Sequence, residues 1–290
     1  MSRPVLKLVA EHKIAAFIRT PKGSAVLEAS GVIFKDDDYY VVFDNIRRLA
    51  RVRAGLALES DEHGWIGPCR DGEGYEDITF SPHTKRFYLL IEAEKHPDGT
   101  YKPQIDECDE QGEFKRRQWV DVAFDKRNTG MEGLAAVRWR GHDYLLGLCE
   151  GNGGHGGRKG KKGGRGLIHV LRRKGTTWIS EATIELPRQV KFEDYSAVAL
   201  RGRSIAVLSQ QSSRLWIGAL RFSDWTIPKR GTIYDFPRSR KGKRRYRTLE
   251  GVSWSSANTL VMVSDLSKGH HPRRCHKQDQ SIHIFRLPKA

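Results

Sequence analysis

A four-residue pattern recurs five times along this chain, and a strand-forming unit repeated at that spacing leaves few folds open. Each copy runs apolar residue, Ser or Glu, small or acidic residue, then a β-branched residue or Leu. The copies are Ala29-Ser30-Gly31-Val32, Tyr75-Glu76-Asp77-Ile78, Met131-Glu132-Gly133-Leu134, Tyr195-Ser196-Ala197-Val198 and Leu249-Glu250-Gly251-Val252. Their Ser or Glu positions are separated by 46, 56, 64 and 54 residues. Between 14 and 18 residues after each, a strongly apolar run ends in a polar residue: Asp44, Glu92, Glu150, Gln210 and Asp265. Self-similarity at this period, built of strands and almost free of helical periodicity, predicts an all-β propeller.

Turn signals divide the repeats into successive strands. The first reads as strands at 31–35, 39–43, 48–53 and 56–59, and the second as 77–80, 87–92 and 118–124. The third reads as 134–139, 144–149, 167–172 and 178–186, and the fourth as 197–200, 204–209, 215–222 and 231–236. The fifth, 252–255, 260–264 and 282–287, is one strand short, while an apolar segment at 5–10 precedes the first repeat. A strand from one end of the chain completing the unit at the other leaves no exposed edge. The expectation is one propeller domain over 1–290 with five blades, closed by the N-terminal strand. Six blades remain open if 12–27 holds a degenerate one, and a β-sandwich is the competing fold.

The formal charge of +16 favours anionic partners: nucleic acid, polyphosphate, acidic headgroups or a phosphorylated small molecule. Four cysteines, Cys69, Cys108, Cys149 and Cys275, form no CxxC pair, which excludes a zinc ribbon and a disulfide framework. No signal-peptide pattern and no run of 18 apolar residues occurs, so the chain reads as cytoplasmic, without a membrane span.

In a propeller the innermost strand starts, and the second strand ends, at one mouth of the central channel. That geometry gathers Ser30, Asp44, Glu76, Glu92, Glu132, Glu150, Ser196, Gln210, Glu250 and Asp265, seven of them carboxylates. Carboxylates so crowded repel unless protonated or neutralised. An all-oxygen donor set suits Ca²⁺ or Mg²⁺, with Mn²⁺ possible. The alternative is that these acids bind backbone N–H groups and arginines of neighbouring blades and hold the ring together.

Three basic loops fall on the same face: the glycine-rich 151–166, then 238–247 (RSRKGKRRYR) and 268–277 (KGHHPRRCHK). From them Lys159, Lys161, Lys162, Arg165, Arg240, Lys241, Lys243, Arg244, Arg245, Arg273 and Arg274 should rim the acidic mouth and bind anions. No Walker motif and no GxSxG elbow is present. Two functions fit. One is a metal-dependent hydrolase for a phosphorylated or otherwise anionic small molecule, the cation polarising an oxygen and the basic rim offsetting charge. The other is a non-catalytic propeller that docks nucleic acid or an acidic partner through its loops.

At 75–94 (YEDITFSPHTKRFYLLIEAE), 131–152 and 249–266 the chain resembles propellers of the phytase-like and gluconolactonase-like kind. Their blades open with a Glu-Gly-[Leu/Ile/Val] element and end the second strand in an acid. The resemblance implies a divalent ion at the mouth and hydrolysis of a phosphoester or ester. On it, Glu76, Glu132 and Glu250 map to the blade-opening acids as catalytic candidates. Asp44, Glu150 and Asp265 lie near the ion and Glu92 joins them as a candidate ligand. The chain departs from that pattern in its five repeats against the usual six, in Ser30 and Ser196, and in its lack of a secretion signal.

Overall fold

In a computed structural model, residues 3–21, 26–58, 60–68, 72, 74–127, 129–154, 165–266 and 273–288 are described. Twenty strands among them fall into five four-stranded antiparallel units. The first unit is β2 (Ala29–Lys35), β3 (Asp38–Phe43), β4 (Ile46–Arg53) and β5 (Gly64–Ile66). The second is β6 (Asp77–Ser81), β7 (Arg86–Lys95), β8 (Tyr101–Cys108) and β9 (Phe114–Asp121). The third is β10 (Met131–Trp139), β11 (His142–Asn152), β12 (Gly166–Lys174) and β13 (Thr177–Glu185). The fourth is β14 (Ala197–Arg201), β15 (Ser204–Ser209), β16 (Arg214–Ala219) and β17 (Thr232–Asp235). The fifth is β18 (Leu249–Trp254), β19 (Thr259–Ser264) and β20 (Ser281–Arg286), with β1 (Lys7–Lys13) as its outermost strand.

The first strands of the units stand around one axis. Val32, Ile78, Leu134, Val198 and Val252, one from each, line a narrow axial cavity of about 80 Å³. Five apolar clusters occupy the five seams. Phe43 packs with Val261 between the first and last units, Tyr40 with Phe87 between the first two, and Leu90 with Leu134 between the next two. Leu146 meets Trp216, and Leu208 meets Phe285, across the remaining seams. Burial between units is therefore the main cohesive term. The third residue of the repeated pattern is small because the axis is crowded. A Cβ on Gly31 would lie 2.7 Å from the Asp77 Cα, and one on Gly133 2.7 Å from the Val198 amide nitrogen. Where that residue is Asp77, its carboxylate accepts from Ile78 N–H (2.8 Å) and from Leu134 N–H (2.7 Å), stitching the second unit to the third.

The N-terminal closure is present, shifted by a few residues. β1 pairs with β20 from Lys7–Arg286 to Lys13–Ser281, while Leu6, 1% exposed, enters the core between the last two units. The stretch 12–27 adds no strands beyond the end of β1 among its described residues. It makes one 3₁₀ turn, Ile14–Ala16, and sends Ile14, Ile18 and Leu27 into the first seam.

Two strands differ from expectation. β8 falls where no strand was expected; its sequence, YKPQIDEC, carries a proline and two adjacent acids. Its acids are buried only because Asp106 faces Arg117 and Glu107 faces Arg116 across the ladder, each in a two-pronged ion pair. The outer strand of the first unit lies at Gly64–Ile66 rather than 56–59, because Leu56, at φ 51°, turns the chain and donates its N–H to Arg53. β9 and β13 also pair in parallel over Trp119–Thr177 to Asp121–Ile179, covering two outer edges at once. No helix among the described residues is long and apolar enough to cross a membrane.

Candidate functional site

The second residue of each pattern copy is turned toward the axis by a local fault in the ladder. In β2, β10 and β18 the register slips across Ser30, Glu132 and Glu250, so two residues oppose one. Glu76 and Ser196 reach the same result just before their strands. The Glu76 N–H bonds Leu90, which faces Asp77, and the Ser196 N–H bonds Leu208, which faces Ala197. A β-bulge re-aims the side chain it carries, and here it does so five times around one axis.

The result is a cavity of about 380 Å³ lined by Asp44, Glu76, Glu92, Glu132, Glu150, Ser196, Gln210 and Glu250, with Asp194, Tyr195 and Gln211 beside them. Eight of the ten positions expected at the mouth thus meet in one place. The blade-to-blade backbone bonds explain why: the Tyr75 N–H reaches Phe43 O (2.7 Å) and the Tyr195 N–H reaches Glu150 O (2.8 Å). The end of one unit's second strand is thereby tied to the opening of the next unit.

Burial, reinforced by the charges of Glu76, Glu92, Glu150 and Glu250, holds the Glu132 carboxyl well above the usual carboxylate range. Glu250 accepts a hydrogen bond from the Gln210 amide (3.1 Å). Asp265 is outside this lining but close to it. One oxygen each from Glu28, Asp44 and Asp265 lies within 4.8 Å of the others, a spacing that one cation could bridge. Ser30 is a structural stitch, its hydroxyl donating to the Tyr75 carbonyl, and Ser196 likewise donates to Leu249 O (3.1 Å). The two units that lack an opening acid carry one two residues earlier, Glu28 before Ser30 and Asp194 before Ser196. That displacement was the available sequence signal for both.

Asp194 accepts hydrogen bonds from the Ser209 hydroxyl and the Gln211 N–H (3.1 Å), and burial pushes its carboxyl up from 3.8 to about 6. A carboxyl raised in the folded state costs stability as pH climbs through that value, and costs nothing below the unfolded value. Asp194→Asn should therefore raise the melting temperature at pH 8, by at most about 2–3 kcal/mol of stability. The gain should vanish at pH 4. Melting curves at the two pH values check this, and a loss of stability at both would show the charge to be needed for the fold.

Of the basic rim, Arg244 is half-buried and donates to Gln211 O (3.1 Å), which places it at the cavity's edge. Lys241, Lys243 and Arg240 are exposed on the turn that links the fourth and fifth units, and Arg245 lies over the Tyr246 ring at 5.6 Å. Arg165 is engaged by Glu185. Lys159, Lys161 and Lys162 lie outside the described residues, as do the side chains of Arg273 and Arg274.

No protein-family model matches the chain, and no curated protein matches it. Among solved structures, glutaminyl cyclase from Myxococcus xanthus aligns over 99% of both chains, with a TM-score of 0.58 and 12% identity. A GH43 protein from Bacillus licheniformis aligns over 97% of this chain and 60% of its own, with a TM-score of 0.54 and 8% identity. A GH32 beta-fructofuranosidase from Bombyx mori aligns over 97% of this chain and 61% of its own, with a TM-score of 0.51 and 9% identity. At these identities the likeness shows the fold alone, a β-propeller.

Proposed function

We propose that the protein is a metal-dependent hydrolase acting on a phosphorylated or other anionic small molecule at the acidic mouth. The observation that carries this reading is Glu132, half-buried among four further glutamates in one cavity. The all-carboxylate donor set fits a hard divalent cation, Ca²⁺, Mg²⁺ or Mn²⁺. Asp44, Glu92, Glu150 and Asp265 would hold it, and it would polarise a phosphoryl or carbonyl oxygen.

The chain's own groups supply the rest. Glu132, whose carboxyl its surroundings hold above the usual carboxylate range, would serve as the proton donor to a leaving oxygen. Glu250, steadied by Gln210, and Glu76 flank it as bases. Arg244, with Lys241, Lys243 and Arg245 further out, offsets the charge of an incoming anion. The repeat-level resemblance to phytase-like and gluconolactonase-like propellers supports the same chemistry.

The test is a screen of phosphoesters, nucleotides and lactones on chelator-stripped protein, with and without each cation. Cation-dependent turnover lost in Glu132→Gln and Glu250→Gln is the expected result. Absence of turnover under every condition would end the hydrolase reading. The exposed basic turn around Lys241 and Lys243 would then favour docking of nucleic acid or an acidic partner, tested by oligonucleotide retention against salt.

A further inference from the structure

The face opposite the acidic mouth holds a second cavity, of about 210 Å³, in the seam between the second and third units. It lies at the turns that join first to second and third to fourth strands, and Thr84, Tyr88, Gly141, His142, Asp143, Arg172, Arg173 and Trp178 line it. Two of its polar atoms are buried and have no hydrogen-bond partner among the described residues. One is the Trp178 indole N–H, on a side chain 2% exposed, and the other is the Asp143 Oδ1. A native interior seldom leaves such atoms unsatisfied, since each costs on the order of 1–3 kcal/mol.

The local charge is also unbalanced. Glu107, 3% exposed, takes Arg116 in a two-pronged pair (2.7 and 3.0 Å) and is approached at 3.4 Å by both Arg86 and Arg173. Three guanidinium groups share that one carboxylate, and with the Asp143 carboxylate counted the group carries one excess positive charge. Arg173 sits directly across the ladder from Trp178, so the excess charge and the unsatisfied N–H belong to the same wall. Arg172 is balanced by Glu181 (3.0 Å), and the other oxygen of Asp143 is taken by His83 (2.9 Å).

We propose that this cavity binds a small phosphomonoester bearing a hydroxyl group beside its phosphate. An anionic phosphate matches that excess charge, with Arg173 and the Trp178 N–H as donors to its oxygens. A bare oxyanion would leave Asp143 Oδ1 unsatisfied and would meet its negative charge; a ligand hydroxyl donating to that oxygen removes both costs. The Tyr88 and Trp178 rings, edge to face at 5.7 Å, close one side around the carbon skeleton. The site is separate from the acidic mouth and does not depend on the reading given for it.

Calorimetric titration with glycerol phosphate, inorganic phosphate and glycerol tests the assignment. Glycerol phosphate should bind saturably at one site, with inorganic phosphate and glycerol each roughly tenfold weaker or worse. Arg173→Gln should weaken glycerol phosphate by roughly tenfold or more. That variant should fold, because Arg173 is 38% exposed and Glu107 keeps Arg116 and Arg86. Trp178→Phe, which keeps the ring and removes the N–H, should weaken binding as well. Joint replacement of Lys241, Lys243, Arg244 and Arg245 by Gln should leave it unchanged. The proposal is overturned by no saturable binding, by equal affinity for inorganic phosphate, or by binding indifferent to Arg173→Gln.

Discussion

A chain that starts at residue 14 should fail to hold the fold at physiological temperature. Its loss removes β1, the outermost strand of the fifth unit, and exposes the edge of β20 over the whole of its pairing. It also removes Leu6, worth about 1.5–3 kcal/mol by burial alone. Pro4 and Leu6 exchange backbone bonds with Asp235, so the fourth unit loosens too. Glu11 leaves a further gap, since it accepts from His283 (3.1 Å), Tyr246 (3.2 Å) and Gln278 (3.3 Å), and His283 is fully buried. The sum is on the order of 5 kcal/mol or more, comparable with the entire stability of an ordinary domain. Circular dichroism melting and size-exclusion chromatography measure it, and a synthetic peptide of residues 3–13 added in trans should restore part of the loss. A truncated protein melting within a degree or two of the full chain would remove the closure from the account of stability.

Glu132→Gln should stabilise the cation-free protein at pH 8 and weaken any stabilisation by Ca²⁺, Mg²⁺ or Mn²⁺, because it removes one negative charge beside the acids proposed to hold the ion. The sign follows from the raised carboxyl. Burial and four neighbouring glutamates make its charge unfavourable in the folded chain, and the unfolded chain feels neither. The penalty is absent below the ordinary carboxylate range and grows as pH rises toward the folded value, so the gain should disappear at pH 4. Glutamine keeps the shape and drops the charge, so the gain should read as a raised melting temperature at pH 8. A cation that binds only the folded state raises the wild-type melting temperature by mass action, and the variant should lose part of that rise. A variant less stable than wild type at every pH would show Glu132 to be a packing residue.

The repeat made the propeller legible because its period, its small third residue and its polar strand ends all follow from ring geometry. Gly31 and Gly133 are small for a reason that acts across units, yet the need recurs at each copy and so leaves a periodic trace. The same logic brings eight of the ten expected mouth positions to one cavity. What lacked a trace was whatever depends on a partner distant in sequence. β8 is a strand because Arg116 and Arg117 neutralise its acids, and a window along the chain sees only a polar, proline-bearing segment. Asp194 and Glu28 reach the mouth from two residues ahead of the repeated pattern, a displacement that marks them only in the two units whose opening acid is missing.

The sequence by itself determined the fold class, the closure and the polarity of the mouth, because those are set by alternation and spacing that every repeat restates. Only the tertiary structure decided which acids stay structural and which face the cavity. That choice rests on where each carboxylate finds N–H or guanidinium donors from another unit: Asp77 finds Leu134 and Asp106 finds Arg117, while Glu132 has other glutamates around it. The second cavity was invisible for the same reason. Its unsatisfied indole and its three arginines around one carboxylate are assembled from two units and have no common motif. Electrostatic balance depends on distances through space, and the linear spacing of residues does not encode them.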